Sequence, residues 1–75
     1  MNYLFEFKSF YKVGDIVLIE YWYNGVIVPV KIIEIKSKRK FIVSHNIEQS
    51  KIFNAPDEEI KPSDIIDLIS TSNNF

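Results

Sequence analysis

Residues 13–36 read VGDIVLIEYWYNGVIVPVKIIEIK, and the fold class turns on this stretch. Two runs rich in β-branched and aromatic residues flank Tyr23-Asn24-Gly25. Asn-Gly between such runs is the strongest short hairpin signal, and both arms are too short and too β-branched for helices. The stretch therefore predicts a hairpin that nucleates a small all-β domain. A first strand is expected over 15–23. Side chains alternate along a strand, which sets Val17, Ile19 and Tyr21 on one face and Ile16, Leu18, Glu20 and Trp22 on the other. A second strand is expected over 26–36, with Val28, Val30 and Ile32 toward the core and Pro29, Lys31 and Ile33 outward. Pro29 has no N–H for a ladder, so its part of the strand belongs at an edge or a bulge. Ile32-Ile33-Glu34-Ile35 breaks alternation, as expected at the bend a small barrel needs to close.

The rest of the chain fits around that hairpin. Gly14-Asp15 signals a turn, and Ser37-Lys38-Arg39-Lys40 a second one. A third strand is expected over 41–45, with Phe41 and Val43 inward and Ile42 and Ser44 outward. A short fourth strand is expected over 51–54, followed by a turn at Ala55-Pro56-Asp57-Glu58-Glu59. Pro62-Ser63-Asp64 suits one helical turn, with Pro early and Ser able to cap. A last strand over 65–69 then closes the domain. Upstream, Tyr3, Phe5 and Phe7 fall at period two, while Leu4, Phe7 and Tyr11 share a helical spacing. Residues 1–11 are read as an arm or extra strand packed on a domain spanning 12–69, with 70–75 as a flexible tail.

Composition narrows the class. The 75 residues suffice for one domain, and a content of 47% hydrophobic and 15% aromatic residues favours a dense core. There is no cysteine, so neither a disulfide framework nor a thiolate metal site is available; a cytoplasmic protein fits. No run reaches the roughly 18–20 apolar residues of a membrane span. The N-terminal MNYLFEFK carries an acidic residue within its apolar stretch and no small-residue cleavage site, unlike a signal peptide. Net charge is −1, yet residues 1–51 carry +3 and residues 52–75 carry −4. This predicts a basic end and an acidic end, or simply two solvated rims of opposite sign. The weight of Ile, Lys and Asn is that of an AT-rich genome, such as a phage or low-GC bacterium, which a small accessory or host-takeover protein would fit.

Val13-Gly14-Asp15-Ile16-Val17, then Val30-Lys31-Ile32-Ile33-Glu34-Ile35, then Ile60-Lys61-Pro62-Ser63-Asp64-Ile65 together resemble the SH3-like barrels of the Tudor and KOW type. The resemblance covers residues 12–69 and implies a five-stranded SH3-like barrel with an N-terminal extension and a helical turn before its last strand. Tudor domains that read methylated side chains hold the cation in an aromatic cage. Its first ring falls near the end of strand one, where this chain has Tyr21, Trp22 and Tyr23. The later part of that motif matches Val43-Ser44-His45-Asn46, which offers no aromatic and no Gly, so the cage is incomplete. The KOW-type glycine is not evident either.

Three groups of residues are candidate sites. Tyr21, Trp22 and Tyr23 form the most suggestive one: alternation turns Trp22 away from the other two, leaving at least one large ring outside the core. Such a ring either anchors a partner or packs under Phe5, Phe7 or Phe10 of the arm. Lys36, Lys38, Arg39 and Lys40 cluster at a hairpin tip, where they either neutralise phosphates or form an ordinary solvated turn. Asp57, Glu58, Glu59, Asp64 and Asp67 make an acidic rim suited to docking on a basic partner, to imitating a nucleic-acid backbone, or simply to solvent. Phe53 joins Phe5 and Phe7 as a further candidate for protein contact. The lone His45, without cysteine or a second histidine, is expected to end a strand as a hydrogen-bonding residue rather than to bind metal. Ser44 and His45 point to opposite faces, which removes a nucleophile–base pair.

The expectation is therefore a non-catalytic binding module with no cofactor, no small-molecule substrate and no membrane association. A protein partner is expected at the aromatic residues 21–23, the N-terminal aromatics or a strand edge, and a homodimer through those aromatics is a variant of this. The alternative is a DNA- or RNA-associated module using Lys36, Lys38, Arg39 and Lys40 with Trp22 or Tyr23.

Overall fold

The structure, a computed structural model, describes residues 11–50, 52 and 54–71. The N-terminal arm with Phe5, Phe7 and Phe10, and the ring of Phe53, lie outside the described residues. Five antiparallel strands form one sheet: β1 (Ile16–Glu20), β2 (Ile27–Ser37), β3 (Lys40–Ser44), β4 (Glu58–Ile60) and β5 (Asp67–Ser70). A single 3-10 turn, Pro62–Asp64, precedes β5. The strand order is β4-β3-β2-β1-β5.

The alternation expected of the hairpin arms is what buries the core. Val17, Ile19, Val28, Val30, Ile32, Phe41, Val43 and Ile60 are buried together, with Tyr11, Tyr21, Ile35, Ile52 and Ile65 packed around them. Register brings them face to face: Val17 pairs with Val30, Ile19 with Val28, Ile32 with Val43, and Phe41 with both Ile35 and Ile60. Each such side chain removed from water contributes about 1.5–3 kcal/mol. The sheet is coiled around this core. β4 and β5 stand at opposite edges although consecutive in sequence, and Ile19 and Glu20 of β1 share a cleft with all of β4.

The bulge falls where alternation breaks. Ile32 pairs with Val43 but Glu34 with Ile42, so Ile33 is an extra residue in β2. It leaves both Ile33 and Glu34 exposed and returns Ile35 toward the core. Pro29 is accommodated as its chemistry requires. It stands opposite Leu18 of β1, between the hydrogen-bonded Val17–Val30 and Ile19–Val28 pairs, so its nitrogen points away from β1. β3 begins pairing with β2 only at Lys31.

Several expectations are corrected. The Asn-Gly turn is not a two-residue loop. The Tyr21 N–H donates to the Val26 carbonyl and the Gly25 N–H to the Tyr21 carbonyl, both at 2.8 Å, enclosing residues 22–25. Gly25 takes φ +76°, and Asn24 Oδ1 accepts from the Val26 N–H at 3.1 Å. The first strand consequently stops at Glu20 rather than at Tyr23. The fourth strand is Glu58–Ile60, inside the stretch read as a turn, whereas Ile52 and Asn54 are not in a strand. Acidic residues are poor strand formers, but pairing with β3 and burial of Ile60 outweigh that preference, and a short charged strand suits an edge. The last strand starts at Asp67 rather than Ile65, although the Ile66 N–H already donates to the Leu18 carbonyl at 2.8 Å. Ser70 belongs to that strand rather than to the tail.

Two Lys-x-x-Asp clamps frame the sheet. At the entrance to β1, the Lys12 N–H donates to Asp15 Oδ2 at 2.9 Å and the Asp15 N–H returns to the Lys12 carbonyl at 3.0 Å. At the 3-10 turn, the Lys61 N–H donates to Asp64 Oδ2 and the Asp64 N–H to the Lys61 carbonyl, both at 2.9 Å. Asp64, rather than Ser63, thus supplies the cap.

Candidate functional site: an exposed aromatic loop

Because β1 ends at Glu20, Trp22 and Tyr23 lie in the loop and escape strand alternation. The three rings of 21–23 therefore gather instead of splitting between faces, correcting the expectation that Trp22 turns away. Ring centroids are 6.0 Å apart for Tyr21–Trp22, 5.6 Å for Trp22–Tyr23 and 6.3 Å for Tyr21–Tyr23. The first two meet edge to face, the arrangement that aromatic quadrupoles favour. Trp22 is 69% and Tyr23 71% exposed.

The cluster is anchored from beneath. Tyr21 is half-buried, and its ring meets that of His45 at 4.9 Å, edge to face. His45 follows β3 directly and is 1% exposed. Its Nε2 lies 3.0 Å from Glu58 Oε1, across to β4. With Nε2–H donating to the carboxylate, Nδ1 is left without a hydrogen-bond partner among the described residues. His45 is thus a hydrogen-bonding residue just past β3, which runs over Lys40–Ser44 rather than 41–45 as expected, and it also ties the aromatic loop to the sheet edge. No motif announces this second role; the inward parity of Phe41, Val43 and 45 was its one signal.

Charged side chains collect on either side of the 3-10 turn. Glu20, Glu58, Glu59 and Asp64 line a cleft with Ile19, Ile60, Ser63 and Ile66. Of the rim read from sequence, Glu58, Glu59 and Asp64 meet there, and Glu20 from β1 is an addition. On the other side, Lys38, Arg39 and Lys61 line a groove with Pro62 and Ser63. Lys36, Lys38, Arg39 and Lys40 are all exposed at the β2–β3 turn, where Ser37 Oγ accepts the Arg39 N–H at 3.1 Å. Lys61 is the basic neighbour that sequence distance concealed. The aromatic loop and the basic turn lie at opposite ends of the eleven-residue β2, so the structure does not bring Trp22 or Tyr23 together with them.

The exposed rings at Trp22 and Tyr23 offer apolar area for burial and π faces for stacking. Ser44 Oγ accepts the Asn46 N–H at 3.1 Å, and His45 is engaged with Glu58. Among the described residues no group of three His, Cys, Asp or Glu could hold a metal ion, and no helix is long and apolar enough to cross a membrane. In comparisons with known proteins the chain matches no family model, no curated protein and no solved structure.

Proposed function

We propose that this chain is a non-catalytic binding module that holds a protein partner through Tyr21, Trp22 and Tyr23. The observation that carries the reading is the pairing of high exposure at Trp22 and Tyr23 with a fixed base at Tyr21 and buried His45. Large rings held in one arrangement lose little freedom on docking and gain the burial they lack alone, which is how aromatic hot spots work. The fold we assign is an SH3-like barrel of the Tudor type. Its support is the combination of a β1-entrance Gly-Asp turn, a long bulged β2, and one helical turn before the final strand.

A second reading, DNA or RNA binding at Lys36, Lys38, Arg39 and Lys40, gains from Lys61 joining their groove. Capture of the tagged protein's partners from cells, with and without nuclease and at low and high salt, separates the two. Protein binding at the aromatic loop leaves a retained protein that resists both treatments. Recovery only of nuclease-sensitive, salt-labile nucleic acid would instead establish the second reading.

A further inference from the structure

The acidic cleft and the basic groove are adjacent, and Ser63 lines both. Across the 3-10 turn the surface passes from Glu20, Glu58, Glu59 and Asp64 on one flank to Lys38, Arg39 and Lys61 on the other. From this juxtaposition we infer that the turn Pro62–Asp64 is a self-complementary face, and that its occupant is a second copy of this chain. A surface bearing opposite charges on either side of a line is matched by a second copy turned over by a half-turn about that line. A two-fold axis near Ser63 lays each basic groove on the partner copy's acidic cleft, so every favourable pairing occurs twice and the assembly closes as a dimer.

The chemistry predicts the character of that dimer. Surface ion pairs are individually weak and screened by salt, so association is reversible and steeply dependent on ionic strength. The cleft is not wholly polar: Ile66, 55% exposed, lies in its lining and is covered when the two copies meet. The face borders the aromatic loop at Glu20, whose carboxylate lies beside Gly25, but neither Trp22 nor Tyr23 lines the cleft or the groove. This inference does not rest on the function proposed above.

Charge exchange tests it. One variant carries Lys38→Glu and Arg39→Glu, making both flanks acidic; a second carries Glu20→Lys and Glu59→Lys, which cancels the charge of the cleft and leaves only the basic flank. All four residues are exposed, and Glu58 is left in place because it pairs with His45. Sedimentation equilibrium should show the unaltered chain dimerising, with its association constant falling at least roughly tenfold between about 50 and about 500 mM salt. Each variant alone should be monomeric where the unaltered chain dimerises, and an equimolar mixture should restore a heterodimer. Trp22→Ala should leave self-association unchanged. A monomeric unaltered chain at low salt, association insensitive to salt, or a mixture that fails to pair would overturn the inference. Loss of the dimer on Trp22→Ala would place the contact at the aromatic loop instead. Should a variant fail to fold, the salt response of the unaltered chain still decides.

Discussion

Gly14 and His45 are single residues on which the local structure depends for different reasons. Gly14 sits at φ +103° inside the Lys12–Asp15 clamp, a region L-residues enter only with strain. Gly14→Ala should therefore lower unfolding free energy by about 1–2 kcal/mol in urea denaturation. The penalty at Gly25 should be similar and come from the backbone alone, since an added Cβ would meet Glu20 Oε2 at an ordinary 3.7 Å. His45 acts through its neighbours. His45→Ala opens a cavity under Tyr21 and leaves Glu58 without its partner, for an expected loss of about 2–4 kcal/mol. His45→Gln, which keeps a donor within reach of Glu58, should recover part of that loss in the same assay. A His45→Ala chain as stable as the original would mean that the loop is not anchored from below.

At the scale of elements, the bulge in β2 decides which faces are wet. With Ile33 as the extra residue, Ile32 is fully buried while Ile33 is 40% exposed. Ile33→Lys should change stability by no more than about 0.5 kcal/mol, whereas Ile32→Lys, burying an unpaired charge, should prevent cooperative folding. Equal damage by the two, measured by thermal melts, would place the bulge elsewhere. These elements also show what the sequence made legible. Alternation in the two long arms located five of the core residues, and its failure at Ile33 marked the bend, because burial of one face is written directly as period two. The fourth strand escaped that logic. Glu58-Glu59-Ile60 has too few residues and too many charges for any local pattern, and only its pairing with β3 makes it a strand. The hairpin loop failed for a related reason. Asn-Gly was recognised, but hydrogen bonding between Tyr21 and Val26 sets the loop at residues 22–25 and frees Trp22 from alternation.

Across the whole molecule, the coiled sheet sorts into three surfaces, the acidic and basic ones meeting at Ser63, what the sequence presents as one polar and aromatic mixture. Aromatic rings occupy the β1–β2 loop, cations the β2–β3 turn at the far end of β2, and carboxylates the cleft between β1, β4 and the 3-10 turn. Charge bias along the chain foretold a basic and an acidic region. It could not foretell that Lys61, from the acidic half, completes the basic groove, because that placement depends on the return of the chain through Pro62–Asp64. The distance between the aromatic loop and the basic turn, at opposite ends of β2, makes the two readings divisible: a protein partner at the loop responds to ring removal, and a nucleic acid at the turn responds to charge removal.

The most direct test compares partner affinity for the unaltered chain, Trp22→Ala/Tyr23→Ala and Lys38→Ala/Arg39→Ala, with folding of each monitored by circular dichroism. Loss of the two rings should weaken binding of the captured protein by roughly 30-fold or more, the scale of an aromatic hot spot, and leave the fold intact. Removal of the two cations should change it less than about threefold. Full affinity in the ringless variant, or its collapse in the cation-depleted one, would contradict the assignment of Tyr21, Trp22 and Tyr23 as the binding surface.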